Sequence, residues 1–322
     1  MGANPAEFPG TNPATGWQYG DTSVAEDVSD IIYQITPEDT PVYNTTGDSR
    51  ASNILHQWQT RALATRSILN AQVEGGVYTF TAQLNTPDAR RGNYTQIFNK
   101  NVRVSETEAA VRHYAIDDYF QDQMLMRMAE IKTDIEHAGI DGTLTSGSSA
   151  QTARQMQGLI NAIVSAVTTY TTLAAAATLL ESGFNDLIQV CWSLGSKPRD
   201  WYGHGYMKRK ISGYIANSTK YIAAEEQKLV NTISVYQSDF FVVTMHLCRD
   251  IPFQTGTYLN FSGYTGYGLL GLDTSMIKKA WLRPLTAERT PKVADSYDGI
   301  IKGELTMEWG HPNAHFYLKS SL

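Results

Sequence analysis

From His56 to Val104 the chain alternates like a β-strand yet cannot build a core of its own. Apolar and polar residues alternate, turn and alternate again, with Tyr94, Phe98, Val102 and Val104 at even positions and mostly polar side chains between them. A period of two is the pattern of a strand, whose successive side chains point to opposite faces. Gly75, Gly76, Asn85, Pro87, Asp88 and Gly92 interrupt the stretch, so 56–104 reads as a long β-ribbon. A two-stranded ribbon is marginal in water, and this one has too few apolar residues to bury both of its faces. Either the rest of the chain or another copy must cover it. The second option predicts an oligomer.

The clearest helix is predicted over 116–138, where Ile116, Phe120, Met124, Met128, Ile131 and Ile135 recur every three or four residues. At 1.5 Å per residue it would be roughly 35 Å long. Asp117, Asp118 and Asp122 lie near its start, where negative charge offsets the positive end of the helix dipole. Gly139 and Gly142 are expected to end it, and the Gly/Ser/Thr-rich stretch 142–152 reads as a hinge or surface loop between two halves. Ahead of the ribbon, residues 1–22 hold Pro5, Pro9 and Pro13 with Gly10, Gly16 and Gly20, a composition that favours extended backbone. This segment is either a disordered tail or an arm in which Phe8, Trp17 and Tyr19 are apolar anchors for a neighbour. A short helix is predicted over 23–33, with Ser23 as cap and Glu26 three residues on.

The second half reads as mixed α/β. Helices are predicted near 174–194 and 206–217, and strands within 233–248, where Phe241, Val243, Met245 and Leu247 alternate with their neighbours. In a last strand Leu305, Met307 and Trp309 face one way and Glu304, Thr306 and Glu308 the other.

Composition narrows the function. With 42% apolar and 18% charged residues the 322-residue chain can bury a sizeable core in one large or two intimate domains. Its formal charge is −6 and no five like charges run together, which argues against a DNA reader but not against a DNA container. Cys191 and Cys248 are far apart, as suits two buried thiols in a reducing compartment. No signal or transit sequence is expected in 1–20, which lacks basic residues and apolar runs, and no stretch of 18 apolar residues predicts a membrane span.

Catalytic constellations are not evident. His311 and His315 are four apart, but Pro312 and the β context weaken a metal reading, and solvated surface histidines are expected instead. The glycines of 263–268 lack the Gly-Lys-Ser/Thr ending of a phosphate loop and read as a Tyr-rich turn. Asp117 and Asp118 are adjacent and cannot face each other as a dyad. No catalytic residue, cofactor or metal ligand is therefore named, and the chain is expected not to be an enzyme.

The segments His56-Gln-Trp-Gln-Thr60, Asn70-Ala-Gln-Val-Glu-Gly75 and Arg90-Arg-Gly-Asn-Tyr-Thr-Gln-Ile-Phe98, in that order before a long helix, resemble the major capsid (major head) proteins of tailed bacteriophages. Val235-Tyr-Gln-Ser-Asp-Phe240 resembles a strand entry of the same family. About three quarters of the chain follows the pattern, while 142–197 and the last twenty residues match it less well. The resemblance implies an α+β chain with the phage/herpesvirus major capsid fold. Its parts would be an N-terminal arm and short helix (1–55), an extended loop (56–104), a peripheral domain with a spine helix (105–150), an axial domain with connecting strands (151–285), and C-terminal strands of the peripheral domain (286–322). It implies a subunit that assembles through hexamers and pentamers into an icosahedral shell around double-stranded DNA, with portal and scaffolding or decoration proteins as further partners. Such a chain resides in the virion, is assembled in the host cytoplasm, and binds neither a membrane nor a particular DNA sequence. Trp17, Trp58, Tyr78, Arg90 and Arg91 become candidate intersubunit contacts, with Trp58 equally readable as an intrachain core residue. A nanocompartment of the same fold is the alternative, and a soluble enzyme with a dispersed site is a third reading.

Overall fold

A computed structural model describes residues 36, 39–61, 63, 66–68, 71–77, 89–113, 116–147, 152–166, 181–214, 234–251, 253–255, 258–259, 266–292 and 294–320. The proposed arm with Trp17, the helix expected over 23–33, and Tyr78 lie outside these residues. In chain order the elements are helix α1 (Pro41–Thr45), strands β1 (Gly47–Arg50), β2 (Leu55–Thr60), β3 (Ala89–Tyr94) and β4 (Gln96–Ser105), then helices α2 (Glu106–Ala110), α3 (Tyr119–Asp141), α4 (Leu159–Ala166) and α5 (Glu181–Ser193). There follow β5 (Asp200–Gly203), α6 (Gly205–Tyr214), β6 (Val235–Gln237), β7 (Val242–Leu247), β8 (Phe253–Thr255), β9 (Tyr258–Leu259) and β10 (Gly266–Leu272). The last three strands are β11 (Lys278–Arg289), β12 (Ser296–Glu308) and β13 (Phe316–Ser320).

Four strands in the order β1-β11-β12-β4 form one sheet, and α3 lies across it. The helix begins three residues later than its apolar periodicity suggests, because Asp118 takes the capping position and accepts a hydrogen bond from the Gln121 amide at 3.1 Å. It also runs through Gly139 to Asp141. Gly139 packs over Met307, which a Cβ there would meet at 3.7 Å, an ordinary contact. Ile131, Ile135 and Ile140 of α3 share a buried core with Phe98, Ile301, Leu305 and Met307 of the sheet.

Strand β4 departs from the ribbon expected over 56–104. It pairs with β12 along its whole length, from Gln96 opposite Leu305 to Ser105 opposite Ser296, and Phe98, Val102 and Val104 are buried. Phe120 of α3 completes the cluster around Val102 and Val104. The free ribbon is therefore only β2 with β3, whose register sets Leu55 opposite Tyr94 and Thr60 opposite Ala89.

The second sheet runs β6-β7-β5-β10-β8-β9, with β13 also paired to β10. Phe184, Leu187, Ile188 and Cys191 of α5 and Met207 and Ile211 of α6 pack with Trp201, Val243, Met245, Leu269, Phe316 and Leu318. Gly271 of β10 sits under the Phe316 ring, where a Cβ would come within 1.9 Å of it, so no larger residue fits. The predicted alternation holds for Phe241, Val243 and Met245 but ends at Leu247, which is 54% exposed. There the strand stops, and Cys248 turns inward as its amide bonds to the Gly203 carbonyl.

Three further expectations change. The stretch after α3 does not separate two cores: Thr145 and Gln155 bridge it, and Met156, Leu159, Ile160 and Ile163 join the core of α3. Both faces of β12 are covered, so Glu304 and Thr306 are buried despite their polarity. The final strand β13 belongs to the second sheet and β11 to the first, so sheet membership alternates in this part of the chain rather than dividing at 286. Among the described residues no helix is long and apolar enough to cross a membrane.

Candidate assembly site

The ribbon β2/β3 is rooted on β12 by side chains from the very segments that carry the family resemblance. His56 Nε2 lies 3.1 Å from Glu308 Oε2, and the Trp58 indole N–H donates to the Gly310 carbonyl at 2.8 Å. Trp58 meets the edge of Trp309, with ring centroids 4.8 Å apart, and packs against the main core. Asn93 is wholly buried: its amide N–H donates to the carbonyls of Met307 and Gln157, and its oxygen accepts from the Gln157 amide at 2.8 Å. Each bond replaces one that water would have supplied, so a polar residue can sit in this core without a desolvation penalty.

Glu304 fixes the junction between ribbon and sheet. Its Oε1 accepts from the Thr95 hydroxyl at 2.7 Å and from Arg154 at 2.9 Å, while its Oε2 accepts from Arg283 Nε at 2.9 Å and pairs with Arg283 Nη2 at 2.8 Å. Thr95 is the residue between β3 and β4, so this one buried carboxylate ties the ribbon root, β11 and the segment before α4 to β12.

On the other side of α3, Glu136 fastens α1. Its two oxygens accept from the amides of Val42 at 2.9 Å and Tyr43 at 2.6 Å. Burial pushes its pKa up to about 7, against the effect of those two bonds. Lys279 Nζ donates to the Tyr43 carbonyl at 2.8 Å and sits 3.9 Å from the Tyr43 ring centre, gripping the same segment from β11. Glu136, Cys248 and Asp250 bring one ligand atom each to within 4.8 Å of one another, which is where a metal ion would find three donors among the described residues. Glu136 already spends both oxygens on backbone amides. Burial pushes the Cys191 thiol up to about 12 and the Cys248 thiol higher still, as expected of two inert interior thiols.

Of the two histidines expected at the surface, His311 is partly exposed and His315 is buried. His311 caps the turn at Pro312–Ala314, its Nδ1 accepting from the Asn313 amide at 3.2 Å. His315 is fully buried, accepts from the Asp273 amide through Nδ1 and bonds the Trp309 carbonyl through Nε2. Burial pushes its pKa down to about 4.

Of the five candidate contacts, Trp58 and Arg91 stand opposite each other in the ladder and so share the inner face. Burial first, then the Arg91 charge, holds the His311 imidazole below its usual pKa. Arg90 lies opposite Gln59 on the outer face and is exposed. Trp17 and Tyr78 fall outside the described residues, so nothing brings them together with the other three. Trp58→Ala is expected to loosen the ribbon from β12 at a cost of about 2 kcal/mol, less than for a fully buried Trp. Limited proteolysis should then cut between β2 and β3 faster than in the parent chain, and an unchanged rate would refute this anchoring role.

Sequence reasoning did not single out the most conspicuous apolar surface. Between the two ribbon strands, Leu63, Ile68, Val73 and Val77 are 82–97% exposed. The segment turns at 73–76, where the Gly76 amide bonds the Val73 carbonyl and Gly75 takes a φ of +74°. A second apolar surface is a groove of about 250 Å³ between Phe120, Met124, Leu125 and Met128 of α3 and the end of β11. The only sequence signal for the first was isolated apolar residues among small and polar ones, with no period to place them.

The family model of the SU10 major capsid protein matches residues 10–321. The chain belongs to this family. A major capsid protein of Escherichia phage Phieco32 is 30% identical over 131 residues, a match spanning 41% of this chain and 37% of that relative. Among solved structures, the holo-SrpI encapsulin complex of Synechococcus elongatus PCC 7942 superposes with a TM-score of 0.58 at 10% identity, covering 92% of this chain and 93% of the other. A chain of Microbacterium phage Oxtober96 gives 0.59 at 12% identity, over 92% and 96%. At such identities the likeness concerns the fold, which is the α+β phage/herpesvirus capsid fold expected from the sequence. For a major capsid protein the site that matters is a surface, and among the described residues the rooted ribbon with its exposed apolar loop is the strongest candidate.

Proposed function

We propose that copies of this capsid subunit assemble through hexamers and pentamers into an icosahedral shell enclosing the double-stranded DNA of a tailed phage. The observation that carries the reading is the loop whose Leu63, Ile68, Val73 and Val77 stand in water while its root is pinned to β12 by His56, Trp58, Asn93 and Thr95. Burying four such side chains is worth about 1.5–3 kcal/mol each, enough to offset much of the entropy lost on association. A neighbouring copy is the surface that would bury them, and the apolar groove beside Met124 and Leu125 is of a kind to receive them. Arg90, exposed on the outer ribbon face, belongs to the same contact, as do Trp17 and Tyr78. Trp58 and Arg91 support it from beneath.

In this assignment residues 1–55 hold the arm and α1, β2 and β3 with the loop between them form the extended loop, α3 on the first sheet forms the peripheral domain, and the second sheet with α5 and α6 forms the axial domain. The role is structural rather than catalytic. Portal and scaffolding or decoration proteins complete a virion that assembles in the host cytoplasm. A nanocompartment would share the fold, and the contents of purified shells separate the two.

Electron microscopy with light scattering on the purified chain tests the reading. Shells, tubes or capsomers are expected. The variant Leu63→Ser/Ile68→Ser/Val73→Ser/Val77→Ser should lose them while keeping its circular dichroism and melting temperature. A parent chain that stays monomeric at every concentration and salt, or a variant that assembles like the parent, would overturn it.

A further inference from the structure

A local inversion of charge marks the second sheet. The chain carries −6 overall, yet 197–210 holds Lys197, Arg199, Lys208, Arg209 and Lys210 against a single carboxylate, Asp200. That carboxylate is already engaged, with His246 Nε2 at 3.1 Å and the Thr274 hydroxyl at 2.9 Å. Among the described residues, Lys197, Arg199, Arg209 and Lys210 form no ion pair, and the first, second and third of these are exposed.

The fold gathers these cations. Strand β5 lies parallel to β7 with Asp200 opposite Thr244 and Trp201 opposite Met245. The Arg199 carbonyl accepts from the Thr244 amide at 2.7 Å, and Lys208 reaches back from α6 until its Nζ is 3.4 Å from the Met245 carbonyl. Segment 197–199 and the first turns of α6 thus converge on adjacent residues of β7.

Helix electrostatics do not account for the placement. Cations stabilise a helix near its C-terminus, but the ten-residue α6 has none in its last turn and sets Lys208, Arg209 and Lys210 in its middle. No carboxylate occupies its first turn to offset them. Guanidinium and ammonium groups without carboxylate partners among the described residues are what a row of phosphates requires.

We propose that the first turns of α6, with Lys197 and Arg199 beside them, contact the sugar–phosphate backbone of enclosed double-stranded DNA without reading its sequence. The proposal rests on the reading of the chain as a DNA-enclosing shell. It adds where, on a net acidic subunit, the nucleic acid is held.

The test compares binding of the full-length chain to a random-sequence DNA duplex over a range of salt concentrations. Removing one cation that neutralises a phosphate should lower the slope of log K against log salt by about 0.9, so Arg199→Gln/Arg209→Gln/Lys210→Gln should lower it by about 2–3. The control Arg50→Gln/Lys132→Gln/Lys278→Gln removes the same charge from exposed positions elsewhere and should leave most of the slope intact. On the unsubstituted chain, DNA should protect Lys197 and Lys210 from acylation more than Lys132 and Lys278, a readout that no folding defect can mimic. Equal slopes for the two variants, no protection, or no binding by the parent chain would overturn the proposal. Micrographs of the same preparations keep the readings apart, because shells that form without this DNA contact refute the contact alone.

Discussion

Glu304→Gln is expected to destabilise the subunit by about 3–5 kcal/mol, the cost of removing one partner from a buried ionic cluster. The side chain of Glu304 is 4% exposed and serves Thr95, Arg154 and Arg283 at once. An amide keeps the shape but cannot neutralise two guanidinium groups, and its own N–H₂ would point at one of them. Arg283 is half exposed and can turn to water, whereas Arg154 is 26% exposed and has less room to escape. The loss should therefore exceed that of Arg283→Gln, which deletes only the more solvated arm. Urea unfolding of the unassembled subunit measures it as a lower midpoint with an unchanged slope. Because Thr95 joins ribbon to sheet, the ribbon should also become more open to proteases well below the midpoint. A midpoint within error of the parent would show that the cluster, however well formed, contributes nothing net.

The same residue marks how far the sequence could be read. Patterning treats a polar side chain as pointing outward, so Glu304 and Thr306 looked solvated although β12 is covered on both faces. His315 failed for the same reason, since nothing local announces that the Asp273 amide and the Trp309 carbonyl await its two nitrogens. The opposite error hid Leu63, Ile68, Val73 and Val77, apolar residues that stand 82–97% exposed and that no described element covers. Periodicity did find α3, because Phe120, Ile131 and Ile135 repeat a face whatever lies against it. It also found that β4 is a strand, but not that its partner is β12. Alternation reports that one face is buried, and it is silent on which distant strand does the burying. Trp58 shows the limit most plainly: the sequence allowed a neighbour or the core, and only the Gly310 carbonyl and the Trp309 ring reveal its inner contact.

Two buried groups should give the subunit opposing pH slopes. The His315 pKa is pushed down from 6.5 to about 4, chiefly by burial. A depressed histidine stabilises the fold above the unfolded value and loses that stabilisation as pH falls from 6.5 through 4, because the unfolded chain then binds the extra proton. At about 1.4 kcal/mol per pKa unit this amounts to about 3 kcal/mol. Glu136 acts in the other direction. Its pKa is raised from 4.5 to about 7, first by burial, with the Asp250 charge adding to it and the amides of Val42 and Tyr43 opposing. A raised carboxylate stabilises the fold below 4.5 and loses that contribution as pH climbs through 7, again by about 3 kcal/mol. Between 4.5 and 6.5 the two slopes nearly cancel, so these groups predict a plateau with a fall on either side. Glu136→Gln separates them: one amide bond to α1 is lost at every pH, but the decline towards pH 7 should vanish while the acid-side decline remains. Unfolding free energies measured from pH 4 to 8 decide it. An undiminished decline above pH 6.5 in the variant would mean that some other group, and not the carboxylate clasping α1 to α3, loosens this capsid subunit as the solution turns alkaline.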